Sequence, residues 1–387
     1  MMSFRAKPAR CAGSLLIFTF ALALCCAFGS SAAGAEFLPG EIWNDTAGQP
    51  INAHGGGILY YKGVYYWYGE SKSGSTFLPE SNKSWGGTRV DITGVSCYSS
   101  TNLYDWKNEG LVLRAETNSP LSDLYPSKVL ERPKVIYNRS TKEFVMWMHI
   151  DTPDYAAART GVALSEKPTG PFRYLGSFRP NAGVWPENVT DADKIPGPTN
   201  SLARDFKTGQ MARDLTVFED DDGQAYLFYA SEDNFTMHVS LLTADYLHTT
   251  GKYDRIFINR SMEAPAVFKC DGKYYFIGSG CTGWEPNAAR LAVADSIFGP
   301  WRELPNPCVG EHADTTFGTQ SAFVLPIQGR EDFFVFLADR WNQWKLPESR
   351  YVWLPLEFSS TGHFTLRWHN SWQLPTDAKN LRAAAAN

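Results

Sequence analysis

The apolar and polar positions of this chain repeat one short pattern, in which an apolar run leads through a polar turn into a second run rich in aromatic residues. The pattern occurs at 57–71, 133–151, 215–231, 265–280 and, more loosely, 321–340. Within each copy, apolar and polar side chains alternate with a period of two, and turn residues such as Asp-Gly, Lys-Gly or Asn-Arg divide the copy in half. Alternation divided by such turns predicts five β-hairpins.

Five hairpins along one chain favour radial repetition, so we predict an all-β fold: a five-bladed β-propeller in a single domain at 36–375. The copies are unevenly spaced, which requires insertions between them. The longest break, at 180–213, is punctuated by Pro, Gly and Asn and is predicted to be a loop that rims the cleft. The polar and then Ala-rich end at 376–387 is expected to be a disordered tail.

The N-terminal stretch has the composition of a targeting segment. Basic residues precede the apolar run SLLIFTFALALCCAF at 14–28, and small residues follow it as far as Ala35. This order is typical of a secretory signal peptide, so we predict a signal at 1–35 and a secreted, extracellular protein. The alternative is an uncleaved membrane anchor, but the apolar run is short of the roughly 20 residues that span a bilayer. We therefore expect no stable membrane insertion.

Charge and composition narrow the class of protein. A formal net charge of −5 and a pI near 5.9 leave no basic surface for nucleic acid. Aromatic residues make up 14% of the chain, and we expect most in the core and a few as stacking surfaces for sugar rings. Cys270 and Cys281 flank one hairpin, where a disulfide and buried thiols are both open interpretations. The cysteines lack metal-ligand spacing, so neither a metal nor a cofactor is expected.

Polar residues stand directly before the hairpins, where the inner strands of a propeller crowd around its axis: Glu131, Asp214, Glu263 and Gln320. Glycosidases act with two carboxyl-type groups across a sugar bond, one of them a protonated acid. Glu263, in Ser-Met-Glu-Ala-Pro, has the apolar neighbours that raise the pKa of an acid. Glu131 has a nearly identical setting, Leu-Glu-Arg-Pro. Pro265 is expected to hold Ala264 in extended backbone.

Several segments together resemble glycoside hydrolase family 43, and within it the exo-β-1,3-galactanase branch. They are AHGGGILYYKGVYYWYGE, ERPKVIYN, DTPDYAAARTGVA, RDLTVFEDDDGQAYLFYAS, MEAPAVFK, SGCTGWEPN, FGTQSAFV and DRWN. The resemblance covers essentially all of the chain after the signal, and it implies a five-bladed propeller that inverts anomeric configuration. The family usually has an Asp base before its first hairpin, where this chain has Asn52-Ala53-His54 and then glycines. The galactanase branch shares that departure.

The resemblance also implies roles for individual residues. Glu263 is the general acid. Glu131 tunes the pKa of Glu263 and positions it, and Gln320 positions the attacking water in place of a base. A neutral amide accepts protons poorly, so that last role requires an unusual tautomer or a relay. The implied substrate contacts are Tyr155, Asp214, Asn234, Thr282, Trp284 and Asn342.

The sequence therefore predicts a secreted, inverting exo-β-1,3-galactanase that hydrolyses the main chain of arabinogalactans, a polysaccharide substrate, and acts as a monomer. Two alternatives stay open. One is another activity of the same family, α-L-arabinofuranosidase or β-xylosidase. The other is a non-catalytic carbohydrate-binding propeller, because Gln320 stands where a second carboxylate would. Gly-X-Ser-X-Gly and His-Glu-X-X-His do not occur in the sequence, which argues against serine hydrolases and zinc hydrolases.

Overall fold

A computed structural model describes residues 35–80, 87–330, 333–359 and 363–375. The first six strands are β1 (His54–Tyr61), β2 (Val64–Glu70), β3 (Thr76–Phe77), β4 (Arg89–Val90), β5 (Gly94–Ser100) and β6 (Lys107–Arg114). Strands β1, β2, β5 and β6 pair in that order as an antiparallel sheet, and β3 pairs with β4 as a separate ribbon. The expected signal segment before Ala35 and the expected tail at 376–387 lie outside the described residues.

The next eight strands form two antiparallel sheets in chain order, β7 to β10 and β11 to β14. Their bounds are β7 (Val129–Asn138), β8 (Glu143–Asp151), β9 (Arg159–Ser165), β10 (Arg173–Phe178), β11 (Leu215–Glu219), β12 (Ala225–Ser231), β13 (Thr236–Leu242) and β14 (Thr249–Ile256). Between β10 and β11 lie a 3-10 helix, Ala192–Lys194, and a short helix α1, Ser201–Asp205. The 180–213 segment thus contains regular structure, and it packs on the outer strand β14 through hydrogen bonds to Tyr253.

The remaining strands form one four-stranded and two three-stranded sheets. Their bounds are β15 (Met262–Cys270), β16 (Lys273–Gly280), β17 (Arg290–Ala294), β18 (Arg302–Leu304), β19 (Cys308–Val309), β20 (Gln320–Pro326), β21 (Phe334–Arg340), β22 (Arg350–Pro355), β23 (Glu357–Phe358) and β24 (Phe364–Arg367). Two more 3-10 helices are Ala313–Thr315 and Leu346–Glu348. Strands β15 to β18 pair in chain order, β20 to β22 form the fifth sheet, and β19, β24 and β23 form the sixth.

The all-β propeller in one domain is confirmed, but the predicted count of five blades is wrong, because the described residues form six sheets of three or four strands. After β22 the chain does not return as a fourth strand of the fifth sheet. It enters β23 instead, and β24 pairs in parallel with β19 to give the additional sheet. The inner strands β1, β7, β11, β15 and β20 contact one another in a closed ring.

All five predicted hairpins are confirmed, and the turn residues explain their tightness. Lys62 and Gly63 join β1 to β2 with φ values of +48° and +88°, and Asp271 and Gly272 join β15 to β16 with +48° and +72°. Two consecutive positive φ angles give the turn whose twist matches that of paired strands.

The register of the fourth hairpin excludes the suggested disulfide between Cys270 and Cys281. Cys270 pairs with Lys273 at the turn, whereas Cys281 follows Gly280 at the far end of the eight-residue strand β16. A strand rises about 3.3 Å per residue, so the two thiols lie at opposite ends of the hairpin.

Most of the aromatic residues pack between sheets, as expected. One buried cluster between the first and fifth sheets includes Phe37, Trp67, Trp106, Trp353 and Trp372. Within the described ranges, no helix is long and apolar enough to span a membrane.

Candidate active site

The antiparallel pairing of each hairpin brings two polar residues to the same edge of the ring. The first residue of each pair lies at or near the start of an inner strand, and the second lies on or near the end of its neighbour. These cross-strand pairs are His54 with Glu70, Glu131 with His149, Glu263 with Ser279, and Gln320 with Asp339. Asp214, directly before β11, joins the same edge, because its carbonyl accepts a hydrogen bond from the amide of Ala230. One face of the propeller therefore collects the polar residues.

β-Bulges then turn these residues relative to the rest of their strands. The ladder shifts after Glu131 in β7 and after Glu263 in β15, and the next residues, Arg132 and Ala264, have φ values of +55° and +53°. The prediction that Pro265 holds Ala264 in extended backbone is therefore wrong. An added residue in one strand bends it and re-aims the side chain beside it, which outweighs the local preference of a residue before proline.

A pocket of about 250 Å³ lies on this face. Its lining includes seven of the predicted site residues: Glu131, Tyr155, Asp214, Asn234, Glu263, Trp284 and Gln320. The predicted substrate contacts Thr282 and Asn342 lie outside this lining. Thr282 donates a hydrogen bond to the carbonyl of Glu285, and the Asn342 side chain accepts the backbone N–H groups of Trp344 and Lys345. Of the segment 180–213 that was predicted to rim the cleft, Arg213 lines this pocket and residues 180–212 do not, so only the end of the segment reaches it.

Glu131 is held as an ionised carboxylate. The Tyr155 hydroxyl donates to its Oε1 at 2.7 Å, and His149 Nδ1 lies 3.1 Å from its Oε2. The other ring nitrogen of His149 lies 2.9 Å from Asp151. Burial opposes the charge of Glu131, but the hydrogen bond and charge of His149 outweigh it and lower the pKa of Glu131 to about 2.

His149 is correspondingly stabilised as a cation. Its ring is 1% exposed, and burial alone would lower its pKa. The carboxylates of Asp151 and Glu131 outweigh burial and raise the pKa of His149 to about 9. At neutral pH an imidazolium therefore donates to both carboxylates, which fixes the direction of Glu131.

Glu263 is in the opposite electrostatic situation. Its donors are weak: the Asn234 amide at 3.3 Å and the Cys281 thiol. Burial and then the negative charge of Asp214 raise the pKa of Glu263 to about 7, and Glu131 adds to the repulsion. Glu263 is thus a carboxyl that can hold a proton near neutral pH beside carboxylates that remain charged.

Arg132 links three inner strands beneath the pocket. Its guanidinium lies 2.9 Å from an oxygen of Asp214 and donates to Gln320 Oε1 at 2.6 Å and to the carbonyl of Ser321 at 3.0 Å. Asp214 also accepts the backbone N–H of Ala264 at 3.0 Å. Arg132 therefore ties the strands that carry Glu131, Asp214 and Gln320 into one rigid unit.

The amide of Gln320 is oriented by three contacts. Its oxygen accepts from Arg132 and from the Trp341 indole at 3.0 Å, and its nitrogen donates to the Ser279 hydroxyl at 3.1 Å. Both lone pairs of the oxygen are occupied, so the second N–H is the group left to meet a ligand. In this amide form Gln320 can orient a water molecule but does not accept its proton.

Two tryptophans and a lysine form another part of the lining. Trp284 and Trp341 meet edge to face with ring centroids 5.2 Å apart. The Lys72 ammonium lies 5.9 Å and 5.6 Å from these two rings and forms an ion pair with Glu70. Both ion-pair partners are buried, and burial raises the pKa of Glu70. This part of the pocket combines an aromatic surface with polar groups, as sugar-binding sites do.

One trio resembles a metal site: Glu131, His149 and Asp214 each place a potential ligand atom within 4.8 Å of the others. Both ring nitrogens of His149 are already hydrogen bonded, to Glu131 and to Asp151. A metal would need one of those nitrogens, so the trio fits a hydrogen-bond network better than a metal centre.

Several lining residues were not among the predicted catalytic or substrate-binding residues: Glu70, Lys72, His149, Arg213 and Trp341. Glu70 and His149 end or nearly end the second strand of a hairpin, and Trp341 follows such a strand. An antiparallel partner must return to the edge where the inner strand began. The polar or aromatic residues at the end of the second strand of each hairpin were therefore the sequence signal that could have identified these lining residues.

A raised-pKa carboxyl, an ionised carboxylate and aromatic walls in one pocket of a propeller define a glycoside hydrolase. Comparison with known proteins supports this class and identifies the family within it. Residues 56–359 match the sequence profile of glycosyl hydrolases family 43, and the chain belongs to this family.

Solved structures of the family are similar over most of the chain. A family 43 β-1,3-galactosidase, solved with galactodeoxynojirimycin, is 44% identical over 87% of this chain and 100% of its own, with a TM-score of 0.80. An exo-β-1,3-galactanase from Clostridium thermocellum is 36% identical over 89% of this chain and 67% of its own, with a TM-score of 0.72. The exo-β-1,3-galactanase from Phanerochaete chrysosporium, in a variant solved with β-1,3-galactotriose, is 32% identical over 89% of this chain and 69% of its own, with a TM-score of 0.72.

Among curated proteins, a β-D-galactofuranosidase of Aspergillus niger is 24% identical over 252 residues. The match covers 63% of this chain and spans 65% of that relative's length.

Proposed function

We propose that this hydrolase is an inverting exo-β-1,3-galactanase that shortens the β-1,3-galactan main chain of arabinogalactans from one end. The observation that carries the proposal is Glu263, whose raised pKa of about 7 lets it keep a proton beside ionised neighbours. A general acid works best with a pKa near the working pH. Glu263 then protonates the departing glycosidic oxygen.

The other residues divide the remaining work. Glu131, with its pKa lowered to about 2, keeps a negative charge that raises the pKa of the acid and favours the cationic transition state of the sugar. Gln320 orients the attacking water through its second N–H. Inverting enzymes leave about 6.5–9.5 Å between the acid and the water-activating group, which is room for that water.

Two observations support a galactan substrate. Proteins 32–44% identical to this chain are β-1,3-galactosidases or exo-β-1,3-galactanases, and one was solved with β-1,3-galactotriose. The lining, with Tyr155, Asn234 and Trp284, offers hydroxyl, amide and indole groups for a sugar ring. A pocket of about 250 Å³ also suits a chain end better than the middle of a polymer.

Proton NMR of wild type and Glu263→Gln acting on linear β-1,3-galactan tests the proposal. Wild type should release α-galactose first, because attack opposite the leaving group inverts the β-linkage. The variant should fall at least about 100-fold in kcat, because general acid catalysis contributes about 10²–10⁴-fold. Glu303→Gln is the matched control: Glu303 lies on β18 in an exposed ion pair with Arg260, outside the pocket lining.

Other outcomes identify other functions. Release of β-galactose first would contradict inversion. A wild type that leaves galactan intact but cleaves arabinofuranosides, xylosides or galactofuranosides would have another activity of the family. Binding of galactan with no hydrolysis of any of these substrates would favour a carbohydrate-binding propeller.

We also propose that the protein is secreted after cleavage near Ala35, on the strength of the charged, apolar and small-residue order at 1–35. Expression of the full chain in a secreting host, followed by N-terminal sequencing of the protein in the medium, tests this. A mature chain that begins near Glu36 supports cleavage, and a full-length, membrane-associated chain contradicts it.

A further inference from the structure

The least expected buried group of this propeller is a lysine beside its axis. Lys134 lies on the inner strand β7, three residues after Glu131, and is 2% exposed. Lysines are almost never this buried unless their charge is paired. The acceptors nearest its ammonium are backbone carbonyls: that of Gly55 at 2.8 Å and that of Arg132 at 3.5 Å.

These two acceptors share a special backbone position. Gly55 and Arg132 have φ values of +59° and +55°, within the bulges of β1 and β7. A bulge interrupts the hydrogen-bond ladder, and buried carbonyls released from it need other donors. One ammonium reaches both carbonyls, on two neighbouring inner strands.

The two bulges carry groups at the floor of the pocket. From the β7 bulge, the Arg132 side chain contacts Asp214 and Gln320. From the β1 bulge, the Gly55 N–H donates to Asp339 at 3.0 Å, and Asp339 pairs with Gln320 across β20 and β21. A shift of either bulge would therefore displace the amide of Gln320.

We propose that Lys134 is a positioning residue of the hydrolase, whose ammonium pins the bulges of β1 and β7 together and thereby holds Arg132 against Gln320 and Asp214. The inference rests on the proposed function of this pocket as the hydrolytic site. Lys134 does not line the pocket, so it acts through Arg132 and not on the substrate.

The charges around Lys134 agree with this role. Arg132 repels it, and Asp214, Glu70 and Asp339 attract it. Burial, with the repulsion by Arg132, lowers the pKa of Lys134 to about 7. The ammonium has three N–H donors and the neutral amine has two, so either form can donate to both carbonyls and the clamp does not depend on the charge of Lys134.

The test replaces Lys134 with Met, which has a similar apolar stem and no donor. The substitution leaves the Gly55 and Arg132 carbonyls without this donor, at about 1–3 kcal/mol for each unsatisfied buried group. Folded domains are stable by about 5–15 kcal/mol, so we expect the variant to fold with loosened bulges. On β-1,3-galactan its kcat should fall about 10- to 100-fold, the scale for misplaced catalytic groups. KM should change less than about threefold, because the pocket lining keeps all its side chains. Lys134→Leu, which also has no donor, is measured in the same way if the Met variant does not fold.

The control is Lys269→Met. Lys269 lies on another inner strand, β15, but near its hairpin turn, where it forms ion pairs with Asp220 and Asp221. It does not line the pocket, so its replacement should leave kcat unchanged. A loss shared equally by the Lys134 and Lys269 variants would indicate a general effect on stability and would overturn the inference.

A double-mutant cycle separates positioning from a merely structural role. The rates of Lys134→Met, Gln320→Ala and the double variant are compared on an activated aryl β-galactoside, whose fast departure keeps slow variants measurable. If Lys134 acts through Arg132 and Gln320, its replacement should cost less than about threefold in the Gln320→Ala background, because coupled residues are not additive. Additive losses, or a Lys134→Met variant as fast as wild type, would overturn the inference. A wild type inactive on galactan and the aryl galactoside would refute both proposals.

Discussion

At the scale of single residues, Glu131 and Glu263 show how similar sequence settings give opposite chemistry. Both stand two residues before a proline on an inner strand, and both precede a residue with positive φ. Their hydrogen-bond partners differ. His149 and Tyr155 stabilise the charge of Glu131, whereas Glu263 has an amide, a thiol and the repulsion of Asp214. The proposed acid is therefore distinguished from Glu131 by groups that other strands bring to it.

The pKa of Glu263 predicts the pH dependence of the enzyme. If Glu263 is the general acid, as proposed, it must carry its proton, so kcat/KM on galactan should fall tenfold per pH unit once the pH rises well above about 7. This fall of kcat/KM at high pH should be absent from the residual activity of Glu263→Gln. Initial rates between pH 5 and 9 check this. A wild-type rate that stays constant to pH 9 would remove Glu263 from the role of acid.

His149 should make the stability of the fold depend on pH. Its pKa is about 9 in the folded protein and about 6.5 in an unfolded chain. A raised pKa means that the folded state binds the proton more tightly, so the stabilisation is complete below pH 6.5 and is lost as pH rises through 9. The shift corresponds to up to about 3 kcal/mol.

Urea unfolding of wild type and His149→Gln measures this effect. The difference in unfolding free energy between the two proteins should be larger at pH 6 than at pH 9.5. Comparing the two proteins cancels the titration of the groups that His149 does not contact. A difference that stays constant, or grows with pH, would contradict an imidazolium between Glu131 and Asp151.

At the scale of elements, the bulges that start the inner strands matter most. A residue before proline is usually extended, yet Arg132 and Ala264 precede Pro133 and Pro265 with positive φ. The packing of the inner strands around the axis favours these positive φ values, because each bulge lets the strand continue beside the axis while its polar residue faces the pocket. The preference of a residue before proline is a local rule, and it does not include the tertiary contacts that stabilise Arg132 and Ala264 in another conformation.

Gly55 offers a direct test of the bulge in β1. Its φ is +59°, and a Cβ there would lie 2.3 Å from an oxygen of Glu70. Gly55→Ala should destabilise the protein by about 3 kcal/mol or more, from about 1–2 kcal/mol of left-handed strain plus the displaced carboxylate. It should also lower kcat/KM, since Glu70 lines the pocket.

Gly63→Ala is the matched control for Gly55→Ala. Gly63 has φ +88° in the turn after β1, and a Cβ there meets no atom within 4 Å. It should cost about 1–2 kcal/mol of strain and leave kcat/KM unchanged. Thermal unfolding and galactan kinetics measure the stability and the kcat/KM of both variants. Equal losses of stability and of kcat/KM in the two variants would mean that the contact between residue 55 and Glu70 does not contribute.

At the scale of the whole molecule, aromatic packing joins the two ends of the described chain. Phe37 pairs with Trp372 through backbone hydrogen bonds, and their rings stack with centroids 4.2 Å apart. Trp353 and Tyr104 lie against the same Phe37 ring. The N-terminal segment and the last sheets are thus fastened to the first sheet.

Phe37→Ala should weaken this closure without touching the pocket. Phe37 is 2% exposed, and truncating a buried Phe costs about 3–5 kcal/mol. Leu38→Ala, at a neighbour that is 50% exposed, should cost less than about 0.5 kcal/mol. Urea unfolding measures both, and kcat at low temperature should match wild type in each. A Phe37 variant as stable as wild type would show that the closure is made elsewhere.

The sequence alone determined the hairpins, the β-propeller and the residues that open the inner strands. These features follow from alternation with a period of two and from turns rich in Gly, Asp or Asn, which are local properties of the chain. Five such turns repeat in the sequence, and all five hairpins form. The family resemblance added the likeness to galactanases.

Tertiary structure decided what local patterns do not encode. The last strands form a sixth sheet through the parallel pair of β19 and β24, a contact between segments more than fifty residues apart. The opposite pKa shifts of Glu131 and Glu263, the buried Lys134 and the pocket walls at Glu70 and Trp341 likewise depend on neighbours from other strands. Charge, burial and hydrogen bonding act through space, so these properties exist only once the ring of strands has closed.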